Sequence, residues 1–170
     1  MRTVTGLMVV LAFSQACGGG GGGTKAASGG GCGVHEQNGV QTRTFCGKAT
    51  ATLTMGDESV TFPAGECETT PTYVSVNIGT VVLGTGAKAT ALKDSTAYFG
   101  MNIGRTPGDD ASKPAADKDG SYPVSFAAND HGRAVTVVAG TAVLTDGRTK
   151  GTMSGTALDN RPVTGRFSCA

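Results

Sequence analysis

Tryptophan is absent from this 170-residue chain, and the other aromatics are few, with six Phe and three Tyr. The core must therefore come mainly from Val, Leu, Ile, Ala and Thr. Such side chains bury little area per residue, and covalent staples would add stability that packing alone does not supply. Charge is also sparse. Charged residues make up 16%, with 14 Lys plus Arg against 13 Asp plus Glu. No basic run concentrates positive charge as phosphate binding requires, which argues against a nucleic-acid partner. A neutral sugar or another protein stays open. Apolar residues at 38% place the chain with neither membrane bundles nor highly charged disordered chains.

Catalytic signatures are missing as well. There is no Gly-x-Ser-x-Gly elbow and no His-Glu-x-x-His. The only histidines are His35, inside the Cys32–Cys46 segment, and His131, in a turn between Asp130 and Gly132. Both are expected to be exposed loop residues. A histidine-driven nucleophile needs a Ser or Cys and an orienting acid beside it. The expectation is a non-enzyme without a cofactor or resident metal. Two metal patterns are nevertheless worth placing. Cys32 and Cys46 with His35 carry zinc-type ligand atoms, but exported thiols usually oxidise. Asp117-Lys118-Asp119-Gly120, with Asp109 and Asp110, opens like a calcium loop and lacks the later ligands.

What is abundant is glycine, at 28 residues, much of it near the start. The first sixteen residues read as an export signal. Arg2 supplies the positive end, residues 7–13 the apolar run, and Ser14-Gln15-Ala16 the small residues before a cleavage point. The apolar run is too short for a spanning helix, which takes roughly 20 residues. Residues 18–31 follow as a Gly-rich tether with no large apolar side chain. A flexible coil of this length has an r.m.s. reach of roughly 20 Å.

From residue 32 to 170 the pattern is β. Thr50, Thr52 and Thr54 alternate with Ala51, Leu53 and Met55. Residues 73–78, 81–83, 98–103, 122–126, 135–138, 142–145, 151–157 and 163–169 are further strand candidates. A break is expected at Gly79. Turn signals fall at Gly56-Asp57, Asp119-Gly120, residues 129–132, Asp146-Gly147 and residues 159–162. No segment carries a capped helical stripe. These features predict one all-β domain, a small antiparallel sandwich or partly closed barrel. Tyr73, Tyr98 and Tyr122 are expected in its core. Residues 104–121 interrupt the pattern and read as a mobile surface excursion.

Cysteine bears on compartment. There are five, at Cys17, Cys32, Cys46, Cys67 and Cys169. An odd count in an exported chain leaves one over, and the remaining four permit three connectivities. Ser14-Gln15-Ala16-Cys17 resembles the lipobox of bacterial lipoproteins, in which the cysteine becomes the lipid-carrying N-terminus. Ser14 departs from the aliphatic residue usual there. Lipid on Cys17 would leave an even set for bridges and would fix the protein to a membrane. Gly18 lacks the Asp that marks inner-membrane retention in enteric lipoproteins, which favours the outer membrane of a diderm cell.

Two further regions resemble the mycobacterial LpqH-type lipoprotein antigens. One runs through Leu53-Thr54-Met55-Gly56, Cys67 and residues 74–79, and the other through residues 153–157 and a last strand ending at Cys169. The likeness covers residues 50–170 as scattered motifs, with the Cys32–Cys46 segment and residues 104–121 as departures. It implies an anchored cell-envelope β domain without an enzymatic role, and it implies pairing Cys67 with Cys169, leaving Cys32 for Cys46. The expected function is a lipid-anchored surface protein, antigen- or adhesin-like, that meets a protein or glycolipid partner. The other reading is a lipid- or glycan-binding module with an internal cavity.

Overall fold

The computed structural model describes residues 31–169. The export segment, Cys17 and all of the tether before Gly31 lie outside them. In chain order the elements are β1 (Gly33–Gln37), β2 (Val40–Phe45), β3 (Thr50–Met55), β4 (Glu58–Phe62), β5 (Gly65–Thr69) and β6 (Tyr73–Leu83). They continue with α1 (Ala87–Lys93), β7 (Ala97–Gly104), β8 (Gly120–Asp130), β9 (Arg133–Thr145), β10 (Lys150–Thr156) and β11 (Pro162–Ser168).

All strands belong to one 11-stranded antiparallel sheet with the order β1-β2-β6-β7-β8-β9-β10-β11-β3-β4. The remaining strand, β5, lies on β6. The long strand β6 divides its edge: Val74 to Ile78 pairs with β5, while Gly79 to Leu83 pairs with β2. The sheet curls over a single main core without closing into a continuous ladder. At the seam, the Ala49 N–H donates to the Gly65 carbonyl at 3.0 Å. Cys67 on β5 is bridged there to Cys169 beyond β11. The all-β, antiparallel, disulfide-bonded architecture expected from the alternation is the one present.

Period-2 alternation dictates which side chains face inward. On β3, Ala51, Leu53 and Met55 are buried; on β11, Val163 and Phe167 are buried, with Thr164 and Arg166 turned out. Leu53, Ile78, Phe99, Ile103 and Val137 are fully buried. Phe62 and Phe126 flank Phe99 at ring-centroid distances of 5.9 and 6.3 Å. With few rings available, the aromatic residues are grouped in the middle of the core. Glycine makes the tight curl possible. Gly155 on β10 lies opposite Gly140 on β9. A Cβ on Gly155 would stand 2.5 Å from Val137 Cγ1, so the strands approach only because neither residue has a side chain.

The structure departs from the sequence reading at several elements. Gly79 does not end a strand. It adopts φ 82°, a left-handed conformation tolerated by glycine, and β6 runs on through it. The two runs 135–138 and 142–145 are likewise one strand, β9, with a register shift opposite Val124 and Phe126 on β8. Strands β1, β2, β4 and β5 were not expected, because β1 and β5 bury little and carry weak alternation. The seven-residue α1 was also unexpected. It buries only Ala89 and Leu92, which form a satellite core with Val40 and Val82. One short turn of contacts is too little to register as a helical period.

Candidate functional site

The cysteines resolve first. Cys32 and Cys46 form one disulfide and Cys67 and Cys169 the other, each with Cα atoms 5.6 Å apart. The pairing implied by the family resemblance is the pairing found. It removes both thiolates from any zinc site with His35, whose ring is instead hydrogen-bonded to the Gly31 carbonyl. Cys17 lies outside the described residues.

Residues 104–121 are docked on the domain through hydrogen bonds and one buried side chain. The Thr72 carbonyl accepts from both Arg105 N–H and Ala116 N–H, at 3.0 and 2.8 Å. Ala116 is buried in the main core. The Arg148 guanidinium donates to the carbonyls of Thr70 and Ala116 at 2.7 and 2.8 Å. Asp119 accepts the backbone N–H groups of Arg148 and Gly147 at 2.7 and 3.1 Å, tying the segment to the β9–β10 hairpin. Sequence reasoning missed this because the clamp comes from Arg148, distant in the chain. A length of polar sequence says nothing about such partners.

Two acidic residues of the calcium-like pattern, Asp109 and Asp119, are engaged by nearby donors. Asp109 Oδ2 accepts from Lys113 Nζ at 2.9 Å and from the Thr106 hydroxyl and N–H at 2.7 Å. Those donors, led by Lys113, hold its pKa at about 2. Asp119 faces backbone donors, which repel a cation. Among the described residues, no group of His, Cys, Asp and Glu is arranged to hold a metal ion.

The tyrosines divide. Tyr122 is buried, its hydroxyl donating to the Lys118 carbonyl at 2.9 Å. Tyr73 and Tyr98, expected in the core, are half-buried. Tyr73 donates to Glu68 at 2.9 Å, a bond that raises its pKa. Tyr98 donates to Asn77 at 2.8 Å and is raised chiefly by burial. His131 is exposed, with its Nε2 3.9 Å from Asp130 Oδ1.

The outer face of β4-β3-β11-β10-β9 is the most regular chemical surface of the domain. Across these strands, register aligns Thr61, Thr52, Arg166, Thr152 and Val143 in one row. The next row is Ser59, Thr54, Thr164, Ser154 and Thr141. Neighbours within a row stand roughly 4.7–4.9 Å apart, and successive rows about 7 Å, from strand geometry. Thr54 and Ser59 share a hydroxyl hydrogen bond of 2.7 Å, and Thr52 and Thr61 one of 3.4 Å. Part of this face forms an open groove of about 520 Å³, and Arg166 is the one charged side chain among the described residues that line it; Lys150, one row further along β10, is held by Asp146 at 2.8 Å. The sequence shows Thr alternation, but which hydroxyls stand side by side depends on bringing β3 next to β11, some hundred residues later in the chain.

No protein-family model matches the chain, and no curated protein matches it. A solved redesigned β barrel is similar over 73% of this chain and 90% of its own, at 17% identity and a TM-score of 0.40.

Proposed function

We propose that the chain is a non-enzymatic, lipid-anchored cell-envelope protein that presents its β domain to a partner outside the cytoplasm. The carrying observation is the cysteine distribution. Four of the five cysteines are paired within the domain, and the remaining one is Cys17, at the end of the export segment. Two disulfides fit an oxidising compartment. Attachment of lipid to Cys17 would leave no spare thiol, and residues 18–31 would give the domain reach. The resemblance to LpqH-type antigens supports the same reading.

The packed interior supports recognition by the outer surface over an internal cavity. The inward side chains of β3, β6, β7 and β9 meet in one continuous core. The partner, a protein or a glycolipid, would then be met by loops and outward strand faces. Intact mass of the protein extracted from its native membrane, before and after reduction, tests the anchor. The expected result is a chain starting at Cys17 with acyl mass and two bridges. An unmodified mature chain, or unchanged membrane retention of Cys17→Ser, would overturn it.

A further inference from the structure

We infer that the Arg166 groove is a binding site for a carboxylate-bearing polysaccharide. This goes beyond the presentation reading, since it names a polysaccharide and not a protein or glycolipid partner, and it rests on that reading only for an extracellular ligand. Among the described residues, the other arginines are engaged. Arg43, Arg133 and Arg161 hold carboxylates of Glu66, Glu58 and Asp159. Arg105 and Arg148 hold backbone carbonyls. Arg166 is exposed and has no hydrogen bond or ion pair among the described residues. Its cross-strand neighbours, Thr52 and Thr152, are hydroxyls, and no carboxylate lines the groove. A planar guanidinium left unpaired there matches a carboxylate through a bidentate pair of charge-assisted bonds.

The surroundings select the rest of the ligand. Each Thr or Ser hydroxyl both donates and accepts, as sugar hydroxyls do. Thr152, Ser154 and Thr164 are exposed and make no side-chain hydrogen bond among the described residues, so they are free to meet a ligand. An acidic peptide fits less well. Peptide interfaces draw most of their energy from buried aromatic or aliphatic anchors, and the groove offers only Val143 among larger exposed aliphatic groups. Alternating hydroxyls around one cation suit a polymer of uronic acid residues, with one carboxylate on Arg166 and neighbouring sugar hydroxyls on Thr and Ser.

The test is titration calorimetry of the full exported protein, purified from whichever fraction holds it, in detergent if that is the membrane. Probes are oligomers of galacturonate, guluronate and hyaluronan, with a neutral malto-oligomer of equal length and a glutamate peptide. Saturable binding of at least one acidic sugar is expected, weakened by salt. Arg166→Ala should weaken it about tenfold to a hundredfold, and Arg166→Lys less. Thr152→Val should weaken it about twofold to tenfold. Arg166 is exposed, and an unchanged melting curve shows that its variants fold. Failure of every acidic sugar, equal binding by Arg166→Ala, or equal affinity for the neutral oligomer overturns the site. A glutamate peptide that binds as tightly overturns the polysaccharide assignment. The anchor is read separately, by mass, so either idea fails without the other.

Discussion

Cys67 and Cys169 lie 102 residues apart in the chain, yet their Cα atoms are 5.6 Å apart across the seam of the sheet. The bond joins β5 to the end of β11, where the strand ladder does not close. By the chain-entropy model, a loop near 100 residues contributes about 4.7 kcal/mol and one near 15 residues about 3 kcal/mol. Replacing both Cys67 and Cys169 by Ala is expected to cost more stability than replacing Cys32 and Cys46. Urea denaturation of the two double variants checks this, and equal losses would show that the seam does not depend on its bridge.

Arg148 has the same role for residues 104–121 that the disulfide has for the seam. Its guanidinium satisfies the carbonyls of Thr70 and Ala116. Arg148→Ala should cost about 1.5–3 kcal/mol, the range for hydrogen bonds that involve a charged group. Hydrogen exchange at the Ala116 N–H, which is bonded to the Thr72 carbonyl, should quicken more than exchange in β7. Uniform acceleration across both would mean that the clamp is not local.

Asp109 gives the same segment a pH dependence. Lys113 and Thr106 hold its folded pKa at about 2, below the ordinary 3.8. The folded value is depressed, so the stabilisation is present above the unfolded value and is lost as pH falls through the folded one. Local exchange protection at residues 106–113 should therefore fall between pH 3.8 and about 2. Asp109→Asn should show weak protection already at neutral pH. A wild-type profile in the variant would assign the change to other carboxylates.

Gly155 tests the curl of the sheet. A methyl group there would meet Val137 Cγ1 at 2.5 Å and Gly140 Cα at 3.2 Å. Gly155→Ala should destabilise by about 1–3 kcal/mol, the range for overpacking. Thermal melting measures the loss, and full stability would show that β9 and β10 can separate freely.

The strands most legible in the sequence are those that bury one face and expose the other. On β3, Thr52 and Thr54 separate the buried Ala51, Leu53 and Met55, and the pattern needs no knowledge of the partner strands. The Asp146-Gly147 turn was legible for a similar local reason, but the loop is four residues long, with Thr145 paired to Lys150 and Arg148 also at positive φ, so the second strand starts at Lys150 and not at Arg148. Helix α1 and strand β5 were not legible because each has few buried positions, and the surfaces they meet are built elsewhere in the chain. For the candidate site, the threonines were visible as strand formers only, and Arg166 carried no signal at all.

The sequence by itself therefore determined the β class, several turn positions and the inward side chains of its clearly alternating strands such as β3, because side-chain alternation and turn chemistry act over a few neighbouring positions. The family resemblance added the cysteine pairing. Only the tertiary structure decided that Gly79 continues a strand, that Arg148 pins residues 104–121, and that Arg166 stands between Thr52 and Thr152 with no partner among the described residues. Those outcomes depend on strand order and register, which bring together groups distant in the chain and so leave no local trace.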